Sequence, residues 1–374
     1  MSERDLLLVT PDFPPDRGGV ARYLEGLAVH FANRITVIAP RADRSRPVST
    51  NVSETISNLY PVIRQELLFR FVWPHWMKTT FDLMRRRSMY RYVLTSHVLP
   101  LGVAAMFAKT FTNKQYLVIV HGMDFRLALT SSRKKKLCGR ALRGAYLVVA
   151  NSNALAQELS QTFGLQNILV VYPTVNPSSI SMIENRPPTA MTFRLLTVSR
   201  LVERKGHDRV LNALAMLKLN GVLMDFQYDI VGTGPTQSTL EQLVEELELK
   251  GHVRFFGDVD DSELHKFYAN ADVFVMPVKD DPIDKEGFGL VFLEAALFEL
   301  PSISTNISGV NEAIVDGQTG LLVADNDVEA LAQKTLLLAN DPVYRHTLGV
   351  AAKERTIREF THDVQFGKLD PYLL

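Results

Sequence analysis

The chain has 374 residues, 46% of them hydrophobic, which is enough to bury a large core in two domains, and no apolar run reaches the roughly 20 residues that a membrane-spanning helix needs. Its N-terminus enters an apolar strand, LLLVT, with no room for a signal peptide, and its single cysteine, Cys138, excludes an intramolecular disulfide and fits a reducing, cytoplasmic compartment in which Asn51-Val52-Ser53 and Asn306-Ile307-Ser308 stay unglycosylated. Net charge is zero, but residues 1 to 180 carry 23 Lys+Arg against 11 Asp+Glu and the remainder 18 against 30, so the first half suits an anionic partner such as a lipid surface, a phosphorylated acceptor or a nucleic acid, unless the opposed charges only help two domains face each other.

The first unit reads strand, helix, strand. Leu6 to Thr10 leads into a Pro-rich loop and Gly18-Gly19, then a helix with Val20, Tyr23, Leu24, Leu27 and Phe31 on one face, then the strand Ile35 to Ala39. Ligands of doubly wound sheets bind beyond the carboxyl ends of strands, where this loop lies. The glycine pair serves either a ligand or only a tight turn and helix start.

Residues 64 to 92 interleave Phe69, Phe71, Trp73 and Trp76 with Arg70, Lys78, Arg85, Arg86, Arg87 and Arg91. That mixture suits a segment lying at an anionic membrane surface, or a helical hairpin whose aromatics are core, broken at Pro74. Gln115 to Val120 is a strand ending in His121-Gly122, with Asp124 and Arg126 beyond it; a histidine there can reach a ligand, although a lone His is more often structural. Arg133 to Lys136 form a basic run, and Tyr146 to Ala150 a strand before a helix capped by Asn151 or Ser152.

A polar Pro- and Ser-rich segment marks a linker over 179–192, which sets domains at 1–178 and 193–355 and a C-terminal helix over 356–374. Phe193 to Ser199 is a strand whose exit loop carries Arg200, Lys205 and Gly206 before a helix around Val210 to Leu219. Two cations at such a junction suit a diphosphate, Arg as a planar fork and Lys as a point charge. Gln227 to Val231 leads to GTGP, too short a fingerprint for a dinucleotide site, and an acidic helix follows through Glu248. Val253 to Phe256 precedes Asp258-Val259-Asp260, a DxD pattern that elsewhere holds a metal, with Ser262 as a candidate cap.

The most informative stretch runs from Val273 to Thr305: a buried strand ended by Pro277, a polar loop, a helical pattern from Gly287 until Pro301, then another strand. Glu286 and Glu294 flank glycines 287 and 289. Glycines let backbone N–H groups approach a ligand, the first turn of a helix attracts phosphate oxygens, and carboxylates accept from the neutral hydroxyls on either side. Sugar hydroxyls flanking a diphosphate satisfy the whole pattern. The region from Asp327 reads as two or three helices.

Glu-x7-Glu with GFG after the first Glu, SRLVERKGHD, and His121 in an HG context together resemble the GT4 family of retaining glycosyltransferases, especially bacterial mannosyltransferases of the phosphatidylinositol mannosyltransferase type. The resemblance implies the α/β GT-B fold, two doubly wound Rossmann-like domains facing a central cleft. It implies that Glu286 contacts hydroxyls of the transferred sugar, Glu294 the ribose, Arg200 and Lys205 the diphosphate with N–H groups at Phe288, Gly289 and Leu290, and Val259 the base. In the first domain it places Gly19 at the donor phosphate, His121 beside the sugar, and Asp12 or Asp16 near the acceptor. Neither a metal nor any other cofactor is expected. Two departures, Pro173-Thr174-Val175-Asn176 for an Asn-Gly turn and Ser308-Gly309 for two glycines, touch turn geometry. The expected partners are a nucleotide-diphosphate sugar, GDP-mannose before UDP-sugars, a lipid-linked or glycan acceptor, and an anionic membrane surface; no nucleic acid is expected. A nucleotide-sugar epimerase and a non-catalytic sugar-nucleotide-binding protein remain as alternatives.

Overall fold

The structure, a computed structural model, describes residues 4–16, 18–41, 59–179, 192–282 and 284–374. The linker assigned to 179–192 lies outside the described residues except for its two ends, as does the Asn51 sequon. The chain forms two compact units, one ending at Thr174 but completed by His362–Leu374, the other Val175–Thr361. The expected limits were 178 and 356; residue 356 falls inside one continuous helix, Pro342–Glu359, because no Pro or Gly interrupts it there.

The first unit is a parallel seven-stranded sheet of β1 (Leu6–Val9), β2 (Ile35–Ala39), β3 (Val62–Arg64), β4 (Tyr92–Ser96), β5 (Gln115–Val120), β6 (Leu147–Ala150) and β7 (Ile168–Val170), in the order β3-β2-β1-β4-β5-β6-β7. Continuous apolar runs such as LLLV in β1 are what a sheet covered on both faces demands. Side chains alternate accordingly: Leu7 and Val9 pack with Val118, Phe125 and Leu142 on one face, Leu6 and Leu8 with Leu24, Leu27 and Val37 on the other. The second face is closed by the C-terminal segment, whose Phe366, Leu369 and Leu373 are fully buried in it.

The second unit repeats the plan with six parallel strands: β8 (Phe193–Val198), β9 (Phe226–Val231), β10 (Val253–Gly257), β11 (Val273–Met276), β12 (Ser302–Thr305) and β13 (Gly320–Val323), ordered β10-β9-β8-β11-β12-β13. In each sheet the strand order reverses beside the unit's first strand, between β1 and β4 and between β8 and β11. Such a reversal opens a crevice at the carboxyl ends of those strands, the usual ligand site of this architecture.

Local details refine the sequence reading. Ser152 is the cap of the helix Asn153–Phe163, accepting from Leu155 N at 3.2 Å. The helix Asp261–Asn270 is capped by Asp260, which accepts from Glu263 N at 2.9 Å, while Ser262 donates to Asp260 instead of capping. Residues 64–92 form no helical hairpin; their helix is the single Met77–Arg85, preceded by an irregular loop.

Candidate functional site

In the second unit the β8 exit passes Arg200 and tightens into a 3-10 turn at Glu203–Lys205 before the helix His207–Leu219. Gly206 joins them with φ 73°, and a Cβ there would stand 2.1 Å from the Pro277 carbonyl oxygen, so only glycine lets this turn seat against the end of β11. Lys279 N, beyond β11, donates to the Arg204 carbonyl at 2.7 Å and ties the two loops together.

That seating brings three charges onto one point. Lys205 Nζ lies 2.5 Å and Arg204 Nη1 2.7 Å from the same Glu286 oxygen, Oε2, and Arg204 Nε reaches Asp284 at 2.8 Å. Burial favours the neutral Glu286 carboxyl, yet Lys205 and Arg204 together hold its pKa at about 2. Burial, aided by Arg204, pushes the Lys205 ammonium below its ordinary range, against the pull of Glu286. His207, pushed to about 4 by burial and by Lys205, stays neutral beside Ser199 Oγ at 3.1 Å. Among the described residues Glu286 Oε1 has no hydrogen-bond partner, so one oxygen anchors cations and the other remains open to hydroxyl donors.

The sequence reading paired Lys205 with Arg200. Arg200 is exposed and makes no ion pair among the described residues; Arg204, which the sequence reading passed over, holds the place beside Glu286. The available signal was the crowding of Arg204 and Lys205 on one turn of the ERK triplet.

Further along the β11 exit loop, Gly289 (φ 91°) precedes the helix Leu290–Leu297, which has no side-chain cap, so the amides of its first turn are not taken up by a capping side chain. Phe288 turns its ring into the core, 5.3 Å from Phe360. Glu294 accepts from Tyr268 Oη at 3.0 Å on the same helix's flank. Val259 is half-buried in the β10 exit loop, and Asp260 of the DxD pattern is occupied as a helix cap. Among the described residues no group of three or more His, Cys, Asp or Glu is placed to hold a metal ion.

In the first unit the expected residues also gather at strand exits. Asp12 follows β1, and its Oδ2 lies 3.5 Å from Nε2 of His97, which follows β4 and which the sequence reading did not single out. His97 has φ 74°, unusual for a non-glycine residue, and is held by Ser96 Oγ, 3.1 Å from its Nδ1 and itself bonded to Thr10 Oγ1 at 2.7 Å. His121 follows β5 with its ring 5.8 Å from that of His97 and edge-on to Tyr23 at 5.7 Å. Its Nε2 is sealed from solvent without a hydrogen-bond partner among the described residues, and burial reinforced by His97 lowers its pKa to about 3. Asp124 clamps the two exits, accepting from Val98 N at 2.9 Å and Gly122 N at 3.1 Å. Arg126 is structural, paired with Glu158 at 2.6 Å. Asp16 is half-buried at the foot of the Pro-rich loop. Gly19 opens the helix Gly19–His30, and a Cβ there would meet nothing within 4 Å, so packing does not demand glycine at this place.

Comparison with known proteins fits these two units in turn. Residues 17–179 match the family model described as Glycosyltransferase Family 4, and residues 183–355 the one described as Glycosyl transferases group 1. The chain is 27% identical to the GDP-mannose-dependent alpha-(1-6)-phosphatidylinositol monomannoside mannosyltransferase of Mycolicibacterium smegmatis, over 93% of this chain and 92% of that one. It is 26% identical to the corresponding mannosyltransferase for monoacylated phosphatidylinositol monomannoside of Corynebacterium glutamicum, over 98% and 97%. Among solved structures, Anabaena HepE in complex with UDP superposes with a TM-score of 0.80 at 18% identity, covering 99% of both chains, which speaks for the fold. With two doubly wound units of GT-B type and family matches along nearly its whole length, the chain belongs to the family 4 glycosyltransferases.

Proposed function

We propose that this glycosyltransferase moves a hexose from a nucleotide-diphosphate sugar, with GDP-mannose the first choice, to a lipid-linked or glycan acceptor at an anionic membrane surface, with retention of configuration and without a metal ion. The observation that carries the reading is the convergence of Lys205 and Arg204 on half-buried Glu286, next to the uncapped helix that starts at Leu290. A departing diphosphate needs fixed positive charge, which Lys205 and the amides at the start of the helix from Leu290 provide. Arg200, exposed on the same loop, reaches the phosphate from solvent. Glu286 keeps Lys205 in place through Oε2 and accepts sugar hydroxyls through Oε1, while Glu294, steadied by Tyr268, takes the ribose and Val259 offers its backbone to the base.

In the first unit Gly19 offers an amide to the donor, neutral His121 lies beside the transferred sugar, and Asp12 and Asp16 serve the acceptor. These roles need no covalent nucleophile from the protein: the leaving phosphate can itself take the acceptor's proton. The mannosyltransferase relatives support GDP-mannose, and the fold-level likeness to a UDP-bound protein keeps UDP-sugars as the second reading.

A thermal-shift panel of nucleotide sugars tests the reading, because a ligand bound only by the folded state raises its stability, by about 2.7 kcal/mol at a hundredfold excess over Kd. GDP-mannose is expected to give the largest rise, undiminished by EDTA. A rise with UDP-sugars alone selects the second reading, and no rise with any nucleotide sugar contradicts both.

A further inference from the structure

The second unit carries a charged hollow that the proposed donor site does not use. A parallel sheet covered on both faces has apolar strands throughout, and β9 and β10 depart from that rule on one face. Tyr228, Ile230 and Phe255 point into the core beneath the helices His207–Leu219 and Gln237–Glu246. Asp229, Arg254 and Phe256 take the opposite face, with Asp229 and Arg254 in register on neighbouring strands and β10 at the edge of the sheet.

Those three line a hollow of about 270 Å³ together with Arg194 of β8 and with Lys266 and Phe267 of the helix Asp261–Asn270. Its charges do not neutralise one another. Arg194, Arg254 and Lys266 make no ion pair among the described residues, and Arg194 Nε and Asp229 Oδ1 are buried without a hydrogen-bond partner among them. Burial raises the Asp229 pKa, and Arg254, Arg194 and Gln227 only partly offset it. Buried polar atoms left unpaired are costly, and two of them in the walls of one hollow mark a place that a ligand completes.

Size and lining select the occupant. Ligand pockets run to roughly 300–1,000 Å³, so this hollow, at the small end, takes a molecule of monosaccharide size and not a whole nucleotide sugar. Phe256 is 38% exposed and set edge-on to Phe267 with ring centroids 4.5 Å apart, which offers an aromatic face to the C–H groups of a sugar ring. Three unpaired cations against Asp229 and Glu263 leave the lining positive, which suits a phosphate, and the Asp229 carboxylate suits a hydroxyl donor. Arg194 and Arg254 stand second in β8 and β10, away from the strand exits that carry Lys205 and Val259.

We propose that this hollow is an effector site for a phosphorylated monosaccharide, with the phosphate on Arg194, Arg254 and Lys266, a hydroxyl on Asp229 and the sugar ring against Phe256. It shares no residue with the proposed donor site and does not rest on the transfer reading. One of its walls is the helix capped by Asp260, directly after Val259, which sets the occupant beside the loop offered to the donor's base.

Calorimetric titration of the full-length protein with mannose 6-phosphate, glucose 6-phosphate, inorganic phosphate and methyl α-mannoside tests the site. A hexose phosphate is expected to bind at least about tenfold more tightly than inorganic phosphate or the methyl mannoside. The double variant Arg254→Ala/Lys266→Ala, which removes two exposed cations, should weaken it at least about tenfold while keeping the wild-type melting temperature and the wild-type thermal response to GDP-mannose. Phe256→Ser should bring the hexose phosphate down to the level of inorganic phosphate, and saturating GDP-mannose should leave its affinity unchanged. Absence of hexose phosphate binding, equal binding of inorganic phosphate, undiminished binding by the double variant, or displacement by GDP-mannose each overturns the proposal. Hexose phosphate binding that the double variant loses, in a protein whose stability no nucleotide sugar raises, would leave this site standing and the proposed transfer refuted.

Discussion

Glu286 is under two opposed demands: burial favours its neutral form, and two cations within 2.7 Å of one oxygen favour the anion. The cations win, with a folded pKa of about 2 against an ordinary 4.5. A depressed carboxylate contributes stability that is complete above pH 4.5 and is lost as pH falls towards 2, here on the order of 3 kcal/mol. The wild type should therefore be more stable than Glu286→Gln at pH 6, with the gap closing below 4.5; denaturant titrations over that range check it, and a constant gap would contradict the ion-pair account. His121 shifts by a different route, burial first, so its imidazole stays neutral down to about pH 3. Its ring resonances should show no titration between pH 5 and 8, which NMR reads directly; a midpoint near 6.5 would mean an exposed ring. Lys205 and Glu286 were legible in the sequence because strand-exit loops are where a doubly wound sheet binds ligands. Which of several neighbouring cations turns inward was not legible, because a 3-10 turn decides it and puts Arg204, not Arg200, on Glu286.

The loop that holds Lys205 depends on the contact between Gly206 and the end of β11. Gly206→Ala would force a Cβ to 2.1 Å from the Pro277 carbonyl at a left-handed φ, so the turn has to move. A loss of at least about 2 kcal/mol by urea denaturation is expected, with weakened nucleotide-sugar binding; a wild-type midpoint would show that the turn does not need this approach. Runs such as QYLVIV and VFVM are long enough and apolar enough to read as buried strands, and both are found where expected. β3 and β4 escaped because the aromatic and basic residues of 64–92 masked the short VIR and YVLTS runs that bracket them. With β4 unread, His97 at its exit had no context and was passed over.

At the scale of the whole chain, the second unit is one continuous piece, Val175–Thr361, and the first is assembled from two. A fragment of residues 175–361 should unfold cooperatively by itself and keep a thermal response to GDP-mannose. A fragment ending at residue 174 lacks Phe366, Leu369 and Leu373 from one face of its sheet and should fail to fold; a cooperative melt of that shorter piece would contradict this assignment of the core. The division into two doubly wound halves was readable from the alternation of strands and helices, whereas the exact return point was not, since helix Pro342–Glu359 carries no breaker near residue 356. The most direct test of the account is calorimetric titration of GDP-mannose into wild-type protein and Lys205→Ala. Because Arg204 still pairs Glu286 in the variant, its melting temperature should change little while donor affinity falls about a hundredfold; an affinity within twofold of wild type would show that the donor phosphates do not meet Lys205.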